Sequence, residues 1–204
     1  MGTLHRFVVQ DRSAKISWTL EELGIAYEVK ELQYKESEHK SEEYLRINPL
    51  GQSPAYVDDM GTFTESIAAA MYLGDRYLEK GLAPAFDDIK GRAEYYFWTN
   101  FSGATMDSVY HKYWLLKKTN EEYQKDWTEW TETKIEQIFS LLETRLEGKE
   151  YLVNNSFSVA DICVAYVLWQ VTEEPTYKNY PNVMSYFERC TSREACKKLG
   201  AFAK

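Results

Sequence analysis

The chain predicts an α/β unit with a mixed four-stranded sheet, followed by an all-helical bundle. Three observations carry this. Residues 3–32 read strand, helix, strand; residues 54–77 read proline, strand, strand, helix; and beyond residue 88 the periodic segments have helical spacing.

Taken in order, residues 3–9 read as a strand, and Gln10-Asp11-Arg12-Ser13 is a polar turn. Ile16, Leu20 and Leu23 then mark one face of a helix that stops at Gly24, a residue suited to the left-handed C-terminal cap. Residues 26–32 return as a second strand. Pro54 has no N–H, so it opens the short run Ala55-Tyr56-Val57 instead of interrupting it. Asp58-Asp59-Met60-Gly61 is a turn, 62–64 a further short strand, and Glu65-Ser66 stands at the start of a helix over 67–77. That element order is the thioredoxin-like one.

Gly81 and Pro84 break the helical pattern after residue 78. This divides the chain into a thioredoxin-like domain over 1–78, a linker over 79–88 and an all-α domain over 89–204. Within the last, 89–118 and 120–146 read as long amphipathic helices separated by the capping signal Thr119-Asn120-Glu121-Glu122. Ser158-Val159-Ala160-Asp161 opens a buried helix over 162–171, where serine at the cap and a carboxylate three residues on satisfy two orphan backbone donors, at about 1 kcal/mol. A further helix is expected over 181–191. No repeat or low-complexity segment is evident.

Composition narrows the function classes. With 44% apolar and 15% aromatic residues, the 204-residue chain can fill its cores. A formal charge of -8 argues against nucleic acid or an anionic membrane as partner. The longest apolar run, 162–169, is too short to span a bilayer, and no charged-then-apolar leader opens the sequence. Cys163, Cys190 and Cys196 have neither disulfide nor zinc spacing, and His5, His39 and His111 are dispersed. A cytoplasmic protein without a metal site is the expectation.

The chemistry sits in two short stretches. In Asn48-Pro49-Leu50-Gly51-Gln52-Ser53-Pro54, the final proline pushes Ser53 toward an extended conformation, whose N–H and C=O can pair with an extended peptide as an added strand would. At Glu65-Ser66, uncapped N–H groups and the positive helix end would hold a carboxylate while Glu65 takes an ammonium. An α-amino acid head carries both charges. Each stretch alone also reads as an ordinary turn or an ordinary helix cap; the order and spacing of the two together is what points to a ligand.

With Ser13-Ala14-Lys15-Ile16-Ser17-Trp18-Thr19-Leu20-Glu21-Glu22-Leu23-Gly24, these stretches give a sequence that resembles the bacterial and fungal glutathione transferases over essentially its whole length. The resemblance implies glutathione as co-substrate, a homodimer, and attack of the glutathione thiolate on a small hydrophobic electrophile without metal. It implies Ser13 as the hydroxyl that stabilises the thiolate, because Phe7 stands where tyrosine-type enzymes keep their phenol. It places Gln52 at the glycyl end, Ser53, Pro54, Glu65 and Ser66 along the tripeptide, and Arg12 as a further possible contact. An electrophile pocket between domains would draw on Phe101, Met106, Tyr110, Tyr113 and Trp114, most of which read equally as core, while Lys117 and Lys118 read as solvated charges.

Lowering a thiol pKa from about 8.5 by ~2 units takes about 2.7 kcal/mol, within reach of one hydroxyl and one helix end. Ser13 reads equally as a helix N-cap, and the charge of Asp11 would oppose a thiolate unless it points away or pairs with Arg12. Cysteine-type relatives keep a thiol where this chain has Arg12, so a mixed disulfide with glutathione has no protein nucleophile in the first domain. Two other readings share the fold: a non-catalytic binding or assembly protein, and a glutathione-dependent isomerase or dehalogenase.

Overall fold

The computed structural model describes residues 1–118, 125–172 and 174–202. They divide into two compact units, Met1–Ala83 with the segment from Ser192, and Pro84–Thr191.

The first unit is built on β1 (Gly2–Arg6), β2 (Tyr27–Glu31), β3 (Ala55–Asp58) and β4 (Gly61–Phe63). The sheet order is β2-β1-β3-β4, with β1 parallel to β2 and antiparallel to β3, and β4 antiparallel to β3, the mixed four-stranded sheet expected. The parallel pair requires a crossover, supplied by α1 (Ala14–Leu23). Its apolar residues Ile16, Trp18, Leu20 and Leu23 are at most 1% exposed, and Gly24 closes it at φ 69°. Strand β1 ends at Arg6, short of the strand expected over 3–9, because the amide of Phe7 turns away to the side chain of Asp11 at 2.9 Å. Between β2 and β3 the structure holds α2 (Glu42–Ile47), with Ser41 Oγ accepting from Tyr44 N at 3.2 Å as N-cap. Helix α3 (Ser66–Arg76) packs against α1, burying Ala69, Ala70 and Leu73.

In the second unit, the segment expected as one helix over 89–118 is α4 (Ile89–Asn100), a π-helical stretch (Phe101–Asp107), and α5 (Ser108–Lys118). Hydroxyls there compete for main-chain carbonyls: Thr99 Oγ1 donates to Tyr95 O at 2.8 Å, Ser102 Oγ to Thr99 O at 2.7 Å and Ser108 Oγ to Gly103 O at 3.2 Å. Helix α6 (Lys125–Leu146) follows; the capping signal at 119–122 lies outside the described residues. Helix α7 (Val159–Trp169) is buried along nearly its whole length and forms the centre of the unit. Its Asp161 accepts from Ser158 N and Oγ at 2.8 and 3.0 Å, from Leu152 N at 3.0 Å and from Tyr186 OH at 3.0 Å, the last on α8 (Pro181–Thr191). One buried carboxylate therefore ties the helix start to a loop and to a neighbouring helix.

The segment after Thr191, expected within the helical domain, clusters with the first unit instead. Arg193 pairs with Glu22 at 2.7 and 2.8 Å, Lys198 of α9 (Glu194–Leu199) with Glu21 at 2.5 Å, and Phe202 lies 5.2 Å from Trp18. One side of α1 carries Glu21 and Glu22 beside Trp18, and this segment supplies the matching cations and ring.

Candidate functional site

A cavity of about 620 Å³ opens in the first unit where the β1–α1 turn, the loop before β3 and the start of α3 meet. Arg12, Gln52, Ser53, Pro54, Glu65 and Ser66 all line it, so most of the residues singled out in the sequence meet at one cavity.

The loop 48–52 is shaped from within. Asn48 Oδ1 accepts from Leu50 N at 3.1 Å, its Nδ2 donates to Gln52 O at 2.7 Å, and Tyr44 OH donates to the same carbonyl at 2.6 Å. Burial pushes the Tyr44 phenol up, which keeps it protonated as that donor. Gly51 has φ 58°, and a Cβ there would lie 2.7 Å from His39 O, so glycine is required twice over. The Ser53–Pro54 peptide is cis.

Asp11 joins this loop to α1. Its carboxylate accepts from Phe7 N at 2.9 Å and Ser53 Oγ at 2.8 Å through Oδ2, and from Ser13 N at 2.7 Å through Oδ1. The charge that seemed to oppose a thiolate is thus engaged in holding two turns together. Asp11 thereby holds the N–H of Ser13, the residue before α1, while the Ser13 side chain makes no cap.

Ser13 stands immediately before α1, at the turn the resemblance points to. It is 0% exposed, its Oγ has no hydrogen-bond partner among the described residues, it makes no side-chain cap, and it does not line the cavity. One residue earlier, Arg12 does line it.

At the far wall, Glu65 is the N-cap of α3 in an extended conformation (φ -96°, ψ 118°), and its carboxylate makes no cap hydrogen bond. Ser66, 7% exposed, begins the helix, and its Oγ accepts from Lys15 Nζ at 3.4 Å. A third wall went unread in the sequence: Phe7, Tyr34, His39 and Lys40. Tyr34 and His39 stack at 4.9 Å with a 7° interplanar angle, and Phe7 meets both edge-on at 5.3 Å. His39 Nδ1 is buried without a partner among the described residues. The adjacent pair His39-Lys40 was the available signal, but only the turns between β2 and α2 bring it to the cavity.

Of the residues named for an electrophile pocket, Met106, Tyr110 and Tyr113 are buried in the helical unit, whereas Trp114 is 52% exposed. A separate cavity of about 190 Å³ there is lined by Tyr113, Ile135, Glu132, Glu136, Glu174 and Thr176. Lys117, expected as a solvated charge, pairs with both oxygens of Glu174 at 2.9 Å. Residues 1–78 contain no cysteine, and Cys196 joins the first unit from the segment after Thr191. It belongs to that unit, yet it is 2% exposed and lies off the cavity wall, and burial together with Glu22 pushes its thiol up to about 12.

Comparison with known proteins adds to this geometry. The N-terminal domain model of glutathione S-transferases matches residues 1–75, and the C-terminal domain model of the same family matches 105–194. The chain belongs to the glutathione S-transferase family. Among relatives, glutathione S-transferase 3 of Schizosaccharomyces pombe is 25% identical over 214 residues, covering 97% of this chain and 86% of that one. Among solved structures, glutathione transferase F7 of Populus trichocarpa superposes with a TM-score of 0.85 at 20% identity, each chain covered completely. The glutathione transferase URE2P8 of Phanerochaete chrysosporium, solved with oxidized glutathione, gives 0.83 at 22%, covering 97% of this chain and 92% of the other. The cavity described above lies wholly within the stretch matched by the glutathione S-transferase N-terminal model.

Proposed function

We propose that this chain binds glutathione in the cavity of its first unit and ionises the bound thiol for attack on a small hydrophobic electrophile, as a cytoplasmic homodimer. The observation that carries the reading is the charge layout of the wall. Glutathione offers an α-ammonium, two carboxylates and a thiol. The cavity offers one carboxylate, Glu65, beside the N-terminus of α3 and Ser66, with Lys40 and Arg12 as cations and His39 as a further polar group. Glu65 takes the α-ammonium, Ser66 and the helix end take the adjacent carboxylate, and Ser53, with Gln52 and Pro54, presents main chain to the peptide. Lys40 and His39 suit the glycyl carboxylate. That the Phanerochaete relative was solved with oxidized glutathione supports the choice of ligand.

Sulfur activation then falls to the first turn of α1 and to Arg12 instead of Ser13. A hydrogen bond from a guanidinium to a charged sulfur contributes about 1.5–3 kcal/mol and the helix end about 0.3–1, which together meet the ~2.7 kcal/mol required. Holding thiolate and electrophile together lowers the barrier further by several kcal/mol.

The sealed hydroxyl of Ser13 also favours a second reading, in which the cavity binds glutathione and the protein acts as a binding or assembly module without turnover. Titration calorimetry with glutathione, followed by ultraviolet difference spectra of bound glutathione across pH for the wild type, Arg12→Gln and Ser13→Ala, separates the two. A thiolate band near neutral pH that moves upward in Arg12→Gln supports the transferase; binding with no such band in the wild type supports the module; no binding defeats both.

A further inference from the structure

Lys15 is the least expected residue of the first unit. It sits in α1 with its side chain directed into the protein, and it is 1% exposed. Lysine is almost never fully buried unless its charge is used, and an aliphatic residue would pack α1 against α3 without desolvating an ammonium. Its Nζ donates to Ser66 Oγ at 3.4 Å, and Ser66 is itself on the cavity wall. The ammonium is thus separated from the ligand space by a single hydroxyl.

That arrangement leaves the hydroxyl a donor. With a lone pair of Ser66 Oγ accepting from an ammonium, its own proton remains to be given, and an anion in the cavity that Ser66 lines can accept it. Donation from a cation also polarises the O–H and strengthens the bond it gives. The N-terminus of α3 contributes positive potential at the same place, and Glu65 lies beside it to take a cationic neighbour of that anion.

We propose that Lys15 is a specificity-determining residue: acting through Ser66, it makes this end of the cavity select ligands that carry a free α-carboxylate. The proposal rests on the reading of the cavity as a glutathione site. Lys15 touches no ligand itself, so it is a positioning residue whose effect is electrostatic.

The test compares two ligands on the full chain by titration calorimetry: glutathione, and the analogue in which hydrogen replaces the α-carboxylate of the glutamyl residue. The wild type should prefer glutathione by about tenfold or more, the worth of one charge-assisted hydrogen bond. In Lys15→Met the preference should collapse to below about threefold through weaker glutathione binding, with affinity for the analogue unchanged. Lys15→Arg, which keeps a cation, should restore part of it. If Lys15→Met fails to fold, Ser66→Ala with Lys15 intact carries the same expectation, because the relay is broken at its other end. An unchanged preference in the folded Lys15→Met overturns the proposal while leaving the glutathione reading intact; an unchanged preference in Ser66→Ala overturns the proposal and the placing of that carboxylate on Ser66. A wild type that binds neither ligand overturns that reading, and this proposal with it.

Discussion

Removing the carboxylate of Asp11 tests the argument that one side chain holds the β1–α1 turn and the proline loop in register. Its three short hydrogen bonds come from Phe7 N at 2.9 Å, Ser13 N at 2.7 Å and Ser53 Oγ at 2.8 Å. A bond to a charged group contributes about 1.5–3 kcal/mol, and a buried donor left unmade costs about 1–3. Asp11 is half-buried, so water replaces part of what is lost, and Asp11→Ala should cost about 3 kcal/mol. Ser53→Ala removes one of the bonds and should cost about 1 kcal/mol; the double variant should cost less than the sum, with a coupling of about 1 kcal/mol. Urea midpoints of the four proteins measure this, followed by circular dichroism at constant slope. Glutathione affinity should fall in Asp11→Ala more than in Ser53→Ala, because the whole loop loosens. A cost below about 1 kcal/mol for Asp11→Ala, or no coupling with Ser53, refutes the reasoning.

Ser13→Ala deletes a buried hydroxyl without a partner among the described residues and should leave glutathione ionisation unchanged while stabilising the fold by about 1 kcal/mol; a rise in the thiolate pKa would return the catalytic role to Ser13. Burial pushes the Asp161 carboxyl up to about 6 from its ordinary 3.8 against the pull of its hydrogen-bond donors. The folded state therefore holds this proton to higher pH than the unfolded state does. The contribution of the group is greatest below 3.8 and declines by about 3 kcal/mol as pH rises to about 6. Asp161→Asn should flatten that part of the denaturation-midpoint profile; an identical pH slope in the two proteins contradicts the assignment. Gly51→Ala places a Cβ 2.7 Å from His39 O at φ 58°, and should lower stability by about 1–3 kcal/mol and glutathione affinity with it, both read in the same titrations.

Much of the fold was legible in local pattern. Pro54, Gly24 and the Ser158-Asp161 box each act on their own neighbours, so a strand start, a helix end and a helix start followed from adjacent residues. Glu65 and Ser66 were found for the same reason. The burial of Ser13 was not legible, because a family motif fixes an address along the chain, whereas exposure is decided by the direction of a side chain. Tyr34 and His39 were missed because they reach the cavity through turns at 34–40, which carry no periodicity to read. The π-helical stretch was invisible for a related cause: its apolar pattern is helical, and only the hydroxyl-to-carbonyl bonds reveal the wider turn.

The pairing of Arg193 with Glu22 joins residues 171 apart in sequence. During synthesis, Trp18 and the acidic edge of α1 are therefore complete long before the segment that covers them emerges. The ribosome delivers the whole helical unit in between. Loop-closure entropy grows only slowly with length, so the finished protein loses little by this delay, but the nascent first unit must persist for that interval with an uncovered aromatic face. A fragment ending at residue 83 would be frozen at that stage. It would hold every residue of the cavity wall while lacking the strap that completes α1, and it should be less stable and more prone to self-association than the same residues within the full chain.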